Sequence, residues 1–240
     1  MFIMDSIVKF IVFKWGNKYS PEYVNRLYKS LKKTYSGKFD FYCFTDDPAG
    51  LECKTIDITT LPNYNSKVFT ACKLDLFNGL PFDGPYALLD LDVLILRDLR
   101  PYFDEYQFKE PRLIYCNWQP PERIYESYYR GDCYVNSSFV TWNGDQLKWV
   151  YDRFYEFKEI LSYKIPSFDK FLFYTSKKEL TFHPDNIVYA YSFGSVWPDE
   201  KPAVHRPEYY IAIFNTSHDS GVELHDADGW ARDLWLSYDS

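Results

Sequence analysis

The residues with the clearest potential for chemistry are two aspartates one position apart, Asp90 and Asp92. They follow the apolar run 86–89 (YALL), and a second apolar run, 93–96 (VLIL), comes directly after them. Burying two like charges is costly unless a partner compensates them. In an extended segment, residues i and i+2 point to the same side, so both carboxylates can face one hard cation such as Mn²⁺ or Mg²⁺. The pattern predicts a divalent-metal site that bridges to diphosphate oxygens, and its alternative is an ordinary turn with exposed aspartates.

The elements that must position these aspartates alternate between strands and helices over about the first 100 residues. Residues 6–13, 39–44 and 53–58 have the β-branched and aromatic character of strands, and helical spacing of apolar residues follows Ser20 and again over 66–78. This order predicts an α/β chain with a single, mostly parallel central sheet and helices on both faces, which binds ligands at the carboxyl ends of its strands. Later segments add strands at 112–116, 135–142, 187–191 and 209–214, and helices at 146–161, 167–174 and 228–236.

Composition and charge exclude several classes of function. The net charge of −7 argues against a general nucleic-acid binder, which would carry a basic face. No apolar stretch reaches the length of a membrane-spanning helix, so no integral membrane segment is expected. The five cysteines include no C-x-x-C pair, which favours free thiols in a reducing compartment and therefore a cytoplasmic location.

Other common catalytic and nucleotide-binding motifs are missing from the sequence. There is no G-x-G-x-x-G and no G-x-x-x-x-G-K-[ST], so phosphate binding by a glycine-rich loop is disfavoured. There is no H-E-x-x-H and no G-x-S-x-G, which disfavours a zinc hydrolase or a serine hydrolase of those types. A diphosphate held by a metal ion is the remaining common solution.

Six short motifs occur in order along nearly the whole chain: KWGNKYSPEYV from Lys14, FTDD ending at Asp47, KLDLF from Lys73, LLDLD ending at Asp92, NSS from Asn136 and SFDK around Asp169. Together they resemble GT-A glycosyltransferases, especially the bacterial and viral sequences related to glycosyltransferase family eight, the glycogenin-like group. The resemblance implies one GT-A domain over 1–240, with a nucleotide-binding half at 1–100 and an acceptor- and sugar-binding half at 101–240.

The resemblance also implies roles for individual residues. Asp90 and Asp92 would bind Mn²⁺ or Mg²⁺, and the third ligand would be Asn215, His218 or water, because Asn215 stands where the family has a histidine. Catalytic roles would fall to Lys73, Asn136 and Asp169. The donor-binding set implied by the same motifs is Lys14, Trp15, Gly16, Tyr19, Asp46, Asp47, Lys73 and Leu91.

The residues taken alone leave alternatives open. Asp46 and Asp47 also suit turn capping before Pro48, and Trp15 and Tyr19 also suit core packing. Lys73 would equally be a charge on a helix surface, Asn136 a satisfied polar group in a sheet, and Asp169 a helix N-terminal charge.

The implied reaction moves a sugar from a nucleotide diphosphate, with UDP-sugars expected, to a hydroxyl group of a carbohydrate acceptor, with retention of anomeric configuration. The aromatic segment 118–134 is expected to close over the donor. Two alternatives remain. The first is a catalytically impaired nucleotide-sugar- or carbohydrate-binding protein on the same scaffold. It is kept open by Asn215, which replaces the family's histidine, and by Lys170, which replaces the glutamine of G-D-Q. The second is a nucleotidyltransferase.

Overall fold

The computed structural model of the chain describes residues 6–64, 71–118, 133–164, 167–191, 205–215, 223–227 and 229–239. The strands are β1 (Val8–Lys14), β2 (Phe39–Thr45), β3 (Lys54–Asp57), β4 (Pro85–Leu89), β5 (Val93–Ile95), β6 (Arg112–Tyr115), β7 (Val135–Asn143), β8 (Val188–Ala190) and β9 (Ile211–Ile213). The helices are α1 (Pro21–Thr34), α2 (Cys72–Asp75), α3 (Arg100–Tyr106), α4 (Lys148–Lys164), α5 (Phe168–Ser176) and α6 (Trp230–Leu236).

The larger sheet has the strand order β3-β2-β1-β4-β7-β6 in the described part of the chain. β1 pairs in parallel with β2 and with β4, and β2 pairs in parallel with β3. β7 runs antiparallel to both of its neighbours, β4 and β6. The prediction of a mostly parallel central sheet is confirmed, with one reversed strand next to β4.

Side chains of β1 alternate between two apolar clusters, as the two-residue period of a strand requires. Phe10 and Val12 belong to the cluster that includes Val24 of α1, whereas Ile11 belongs to the cluster that includes Phe154 of α4. All five of these residues are at most 1% exposed. Helices therefore cover both faces of the sheet, as predicted.

A second, smaller sheet has the order β5-β9-β8 among the described strands. β9 runs antiparallel to β5 and parallel to β8. The sequence predicted the run 93–96 as an extended continuation of the preceding strand. It is extended, but it leaves the larger sheet at Asp90–Asp92 and pairs with β9 instead. The segment of the two aspartates therefore connects the two sheets.

The predicted helix over 66–78 is confirmed only in its second part. α2 covers Cys72–Asp75 and a 3-10 turn continues over Leu76–Asn78, while residues 65–70 lie outside the described part of the chain. The helical conformation ends at Gly79, whose φ of 116° is one that glycine adopts easily. No helix in the described ranges is long and apolar enough to cross a membrane.

Candidate active site

A cavity of about 390 Å³ opens where β1 and β4 end. Because β7 is antiparallel to β4, the beginning of β7 meets the end of β4, and the residues that follow β4 line the cavity together with residues of β7. Ligands of open α/β sheets bind at this edge. The lining residues are Phe13, Trp15, Gly16, Asn17, Lys18, Tyr19, Lys73, Asp90, Leu91, Asp92, Asn136, Ser138, Asp169 and Asn215.

Backbone hydrogen bonds from two different sheets fix the pair of aspartates. The Asp90 amide donates to the carbonyl oxygen of Ser138 on β7 at 2.9 Å. The Asp92 carbonyl oxygen accepts from the amide of Phe214, just after β9, also at 2.9 Å. The side chain of Asp90 is 30% exposed and Asp92 is 9% exposed, so the first carboxylate is the more open to solvent.

Lys73 brings a buried ammonium group to the same wall. Its Nζ atom lies 2.6 Å from Oδ1 of Asp90 and 3.5 Å from Oγ of Ser137. Burial alone would lower the pKa of Lys73, but the carboxylates of Asp90 and Asp169 oppose it and the pKa is raised overall. Lys73 therefore stays protonated and connects α2 to Asp90, the residue that follows the buried strand β4.

Asp169 lies in the first turn of α5, which Ser167 caps by accepting a hydrogen bond from the Lys170 amide at 3.3 Å. Its Oδ1 atom accepts a hydrogen bond from the Ser137 amide at 3.0 Å. Burial raises the pKa of Asp169 above its usual range, although Lys73 and the Ser137 amide oppose that shift. Ser137, between the cavity-lining residues Asn136 and Ser138, therefore contacts both Lys73 and Asp169.

The loop after β1 also contributes to the cavity wall. Gly16 has a φ of +59°, and its amide donates to the carboxylate of Asp46 at 3.1 and 3.3 Å. The ring of Trp15 packs edge-on against Phe13, with the ring centroids 6.2 Å apart. Tyr19 packs against Tyr23 of α1 at 4.9 Å. The two aromatic residues of the loop are therefore held by core rings while they line the cavity.

Three residues of the predicted donor-binding set are not among the described residues that line the cavity. Lys14 is 5% exposed at the end of β1. Asp46 holds the Gly16 amide, and Asp47 accepts from the Ala49 amide within its own turn at 2.9 Å. The contacts of Asp47 are thus those of a turn-capping residue. Asp46 instead supports the cavity-lining loop by accepting a hydrogen bond from Gly16.

Asn215 follows β9 and reaches the cavity beside the aspartates. It has a φ of +53°, a left-handed conformation that asparagine tolerates better than most residues. Its Nδ2 atom is buried and has no hydrogen-bond partner among the described residues. His218, the other residue proposed as a third metal ligand, lies outside the described ranges.

The residues present fit a divalent cation at the aspartate pair. Within the described ranges, no group of three or more His, Cys, Asp or Glu side chains is arranged to hold a metal, so such an ion would depend on Asp90, Asp92 and the amide of Asn215. Turning that amide by 180° about its last side-chain bond places its oxygen where the unpartnered Nδ2 now lies, and carboxylate and amide oxygens are suitable ligands for a hard cation.

The structure brings ten predicted residues to one cavity: Trp15, Gly16, Tyr19, Lys73, Asp90, Leu91, Asp92, Asn136, Asp169 and Asn215. The sequence reasoning missed Ser137 and Ser138 as individual residues, although both belong to the NSS motif that starts at Asn136. It also missed Asn17 and Lys18, which lie inside the KWGNKY motif. The signal for all four was their position within a motif rather than their residue type.

No model of a known protein family matches the chain, and no protein with a curated description matches its sequence. Solved structures do match its fold. The galactosyltransferase LgtC, in complex with donor and acceptor sugar analogues, superposes with a TM-score of 0.62 at 13% sequence identity, over 96% of this chain and 94% of LgtC.

Two larger proteins match as well. The bifunctional glycosyltransferase WbbM gives a TM-score of 0.63 at 12% identity over 98% of this chain, and the glycosyltransferase GlyE of Streptococcus pneumoniae TIGR4 gives 0.60 at 14% identity over 96%. This chain spans 50% of the WbbM chain and 59% of the GlyE chain. These structures, together with the mostly parallel sheet, show that the chain has the GT-A fold of glycosyltransferases.

Proposed function

We propose that this protein is a metal-dependent glycosyltransferase that moves a sugar from a nucleotide diphosphate donor, a UDP-sugar, to a hydroxyl group of a carbohydrate acceptor. The observation that carries the proposal is the meeting of Asp90, Asp92, Lys73, Asn136 and Asp169 in one cavity on a GT-A fold. Metal ligands, a buried cation and polar groups for a sugar are the parts that such a transfer requires.

The balance of charges on the cavity wall supports the proposal that a metal ion binds there. The described lining residues include three carboxylates, of Asp90, Asp92 and Asp169, against two lysines, and Lys73 is already paired with Asp90. A diphosphate would meet a net negative wall there. A cation on Asp90, Asp92 and Asn215 would neutralise that wall and, when bound, would supply positive charge to the diphosphate as it leaves.

The protein's own residues would orient the reactants. In this proposal, Lys73 adds a fixed positive charge beside the diphosphate, and Trp15 and Tyr19 offer ring faces to the base and ribose. Asn136 and Asp169 bind hydroxyl groups of the transferred sugar or of the acceptor. The proposal includes retention of anomeric configuration and a cytoplasmic location, where the five free cysteines would stay reduced.

A calorimetric titration of UDP tests donor binding. We expect binding in Mn²⁺ that EDTA abolishes, and loss of the Mn²⁺-dependent part in Asp92→Ala. The matched control is Asp145→Asn, which changes an exposed aspartate in the turn before α4 and should bind like the wild type. Metal-independent binding, or no binding, would contradict the donor assignment.

Turnover then separates an enzyme from a binding protein. A panel of UDP-sugars, with and without mono- and oligosaccharide acceptors, should release UDP with at least one donor, and the NMR spectrum of the product reports the anomeric configuration. Mn²⁺-dependent binding with no turnover across the panel would favour the binding-protein alternative instead.

A further inference from the structure

A buried carboxylate that the proposed reaction does not use lies two residues beyond Lys73. Asp75, the last residue of α2, is 5% exposed. Its Oδ2 atom accepts from the backbone amide of Asn63 at 2.9 Å, and its Oδ1 atom accepts from the Asn63 side-chain amide at 2.6 Å. Asn63 itself is 2% exposed. One carboxylate therefore accepts from both nitrogen atoms of a single buried asparagine, whose Nδ2 atom also donates to the Tyr155 hydroxyl group at 3.2 Å.

Further hydrogen bonds connect the segment of Asn63 to the loop that lines the cavity. Tyr64, the next residue, closes a turn by donating its amide to the Leu61 carbonyl at 3.1 Å. Its hydroxyl group donates to Oδ2 of Asp46 at 3.4 Å. The same Asp46 oxygen accepts from the Gly16 amide at 3.1 Å. An unbroken set of contacts therefore runs from α2 to a residue of the cavity wall.

This arrangement carries an energetic cost. Burial raises the pKa of Asp75, although the Asn63 donors and Lys158 oppose the shift. A buried carboxylate is less favourable than a well-packed apolar side chain of similar size, so stability alone does not require an acid here. The two bonds to Asn63 do give the turn a defined geometry, which an apolar side chain would not.

We propose that Asp75 is a positioning residue of the donor cavity, which acts through Asn63, Tyr64 and Asp46 to hold Gly16 at the wall that faces the donor. The naming of the donor rests on the proposed function, whereas the chain of contacts does not. α2 then supports two parts of the cavity lining, because Lys73 contacts Asp90 directly and Asp75 is connected to Gly16 through Asn63, Tyr64 and Asp46.

Three variants test the proposal. Asp75→Asn weakens the grip on Asn63, and Tyr64→Phe removes only the hydroxyl group that contacts Asp46. The exchange Asp75→Asn with Asn63→Asp restores a carboxylate–amide pair in the opposite sense. The matched control is Tyr28→Phe, because Tyr28 is a partly buried tyrosine of α1 that packs against Phe41.

Two measurements apply to each variant: the dissociation constant of UDP in Mn²⁺, and hydrogen exchange of the Gly16 amide in the ligand-free protein. We expect Asp75→Asn and Tyr64→Phe each to weaken UDP binding about three- to tenfold and to speed hydrogen exchange of the Gly16 amide, with kcat unchanged. The double variant with Asp75→Asn and Asn63→Asp should recover much of the UDP affinity and of the Gly16 protection. Tyr28→Phe should change neither.

Two outcomes would overturn the inference. The first is Gly16 exchange and UDP affinity at wild-type values in Tyr64→Phe. The second is a double variant, with Asp75→Asn and Asn63→Asp, that regains thermal stability but does not protect the Gly16 amide from hydrogen exchange. Asp75 would then have a structural role only. If the wild type binds no UDP, the proposed function fails, and the Gly16 exchange rates still decide whether Asp75 holds this wall. Should Asp75→Asn fail to fold, Tyr64→Phe decides alone.

Discussion

The ammonium nitrogen of Lys73 lies 2.6 Å from Oδ1 of Asp90, so the more exposed residue of the Asp90–Asp92 pair already has a cationic partner. A divalent ion at this pair would share Asp90 with Lys73. The lysine and the metal would then repel each other, and both would attract the same diphosphate. In the proposed function, the lysine would therefore oppose metal binding and favour transfer.

Replacement of Lys73 by methionine should separate these two effects. Without the ammonium group, we expect Mn²⁺ to bind the nucleotide-free protein about tenfold more tightly, because one repulsive charge is gone. UDP-sugar turnover should fall by about 10² or more, because the positive charge beside the leaving group is lost. Titration of Mn²⁺ by electron paramagnetic resonance and a UDP-release assay measure the two quantities. Tighter metal binding with unchanged turnover would contradict the role of Lys73.

Asn215 offers a pair of variants that separates its amide from its backbone. Asn215→Gly keeps the left-handed conformation at φ +53° and removes the amide, whereas Asn215→Asp adds a charged oxygen ligand. We expect the glycine variant to lose about tenfold in Mn²⁺ affinity and the aspartate variant to gain, since oxygen ligands hold the ion. Equal Mn²⁺ affinities in wild type, Asn215→Gly and Asn215→Asp would show that Asn215 is not a ligand.

The buried carboxylate of Asp169 should lower the stability of the fold at neutral pH while it supports activity. Because burial raises the pKa of Asp169 in the folded state, the stability that its protonated form contributes is present below pH 3.8 and is lost as pH rises through the folded-state pKa. Asp169→Asn removes that loss and retains an acceptor for the Ser137 amide. We expect the variant to be as stable as the wild type or more stable at pH 7, with turnover lower by about 10² or more. Urea unfolding at pH 4 and pH 7 and a UDP-release assay check this.

A destabilised Asp169→Asn protein at pH 7 would contradict the account of Asp169, because the charged form would then be favourable in the fold. The matched control is Asp104→Asn on α3, whose carboxylate pairs with Arg100 at 2.8 Å, away from the described lining of the cavity. That variant should lose stability slightly and keep its turnover.

His183 should make the protein sensitive to acid. Its ring is buried and stacked on Phe139 at 4.5 Å, and its Nδ1 atom lies 2.7 Å from the Tyr102 hydroxyl group. Burial and the Arg112 charge lower its pKa from 6.5 to about 3. The stability that this neutral histidine contributes is therefore present above pH 6.5 and is lost as pH falls toward 3, by about 1.4 kcal/mol per pH unit.

Urea unfolding of His183→Asn at pH 7 and pH 5 tests the role of His183 in that loss. The variant should lose less stability between the two pH values than the wild type does. His205→Asn is the control, because His205 is exposed and stacks on Trp230. If the two variants show the same pH dependence as the wild type, His183 does not titrate as its burial implies.

The sequence carried most of the information about the larger sheet. The alternation of Phe10, Ile11 and Val12 between two covered faces is a local pattern, and it is visible without a structure. The pairing of β5 was not predictable in this way, because a run of three apolar residues suits either sheet. The reversal of β7 was equally hidden, since strand direction depends on tertiary connections rather than on side-chain period.

For the cavity as well, the sequence predicted some features and only the structure gave the others. The D-x-D spacing identified Asp90 and Asp92, and the motif order led to Lys73 and Asp169, all of which line one cavity. The direct contact of Lys73 with Asp90 joins positions 17 residues apart, which no local pattern specifies. The donor-binding roles of Asp46 and Asp47 stay predictions, and residues 119–132 of the aromatic segment lie outside the described ranges.

Asp90 is hydrogen-bonded to Ser138 in one sheet and Asp92 to Phe214, directly after the middle strand of the other. If the pair binds a metal ion as proposed, ion binding would therefore require both sheets to be formed at once. A partly folded chain with an intact β1–β4 region but unpaired β5 and β9 would carry both acids and still lack the site. Nascent or truncated chains that end before β9 would accordingly be unable to consume nucleotide-sugar, so the activity would begin only when the C-terminal strands have docked.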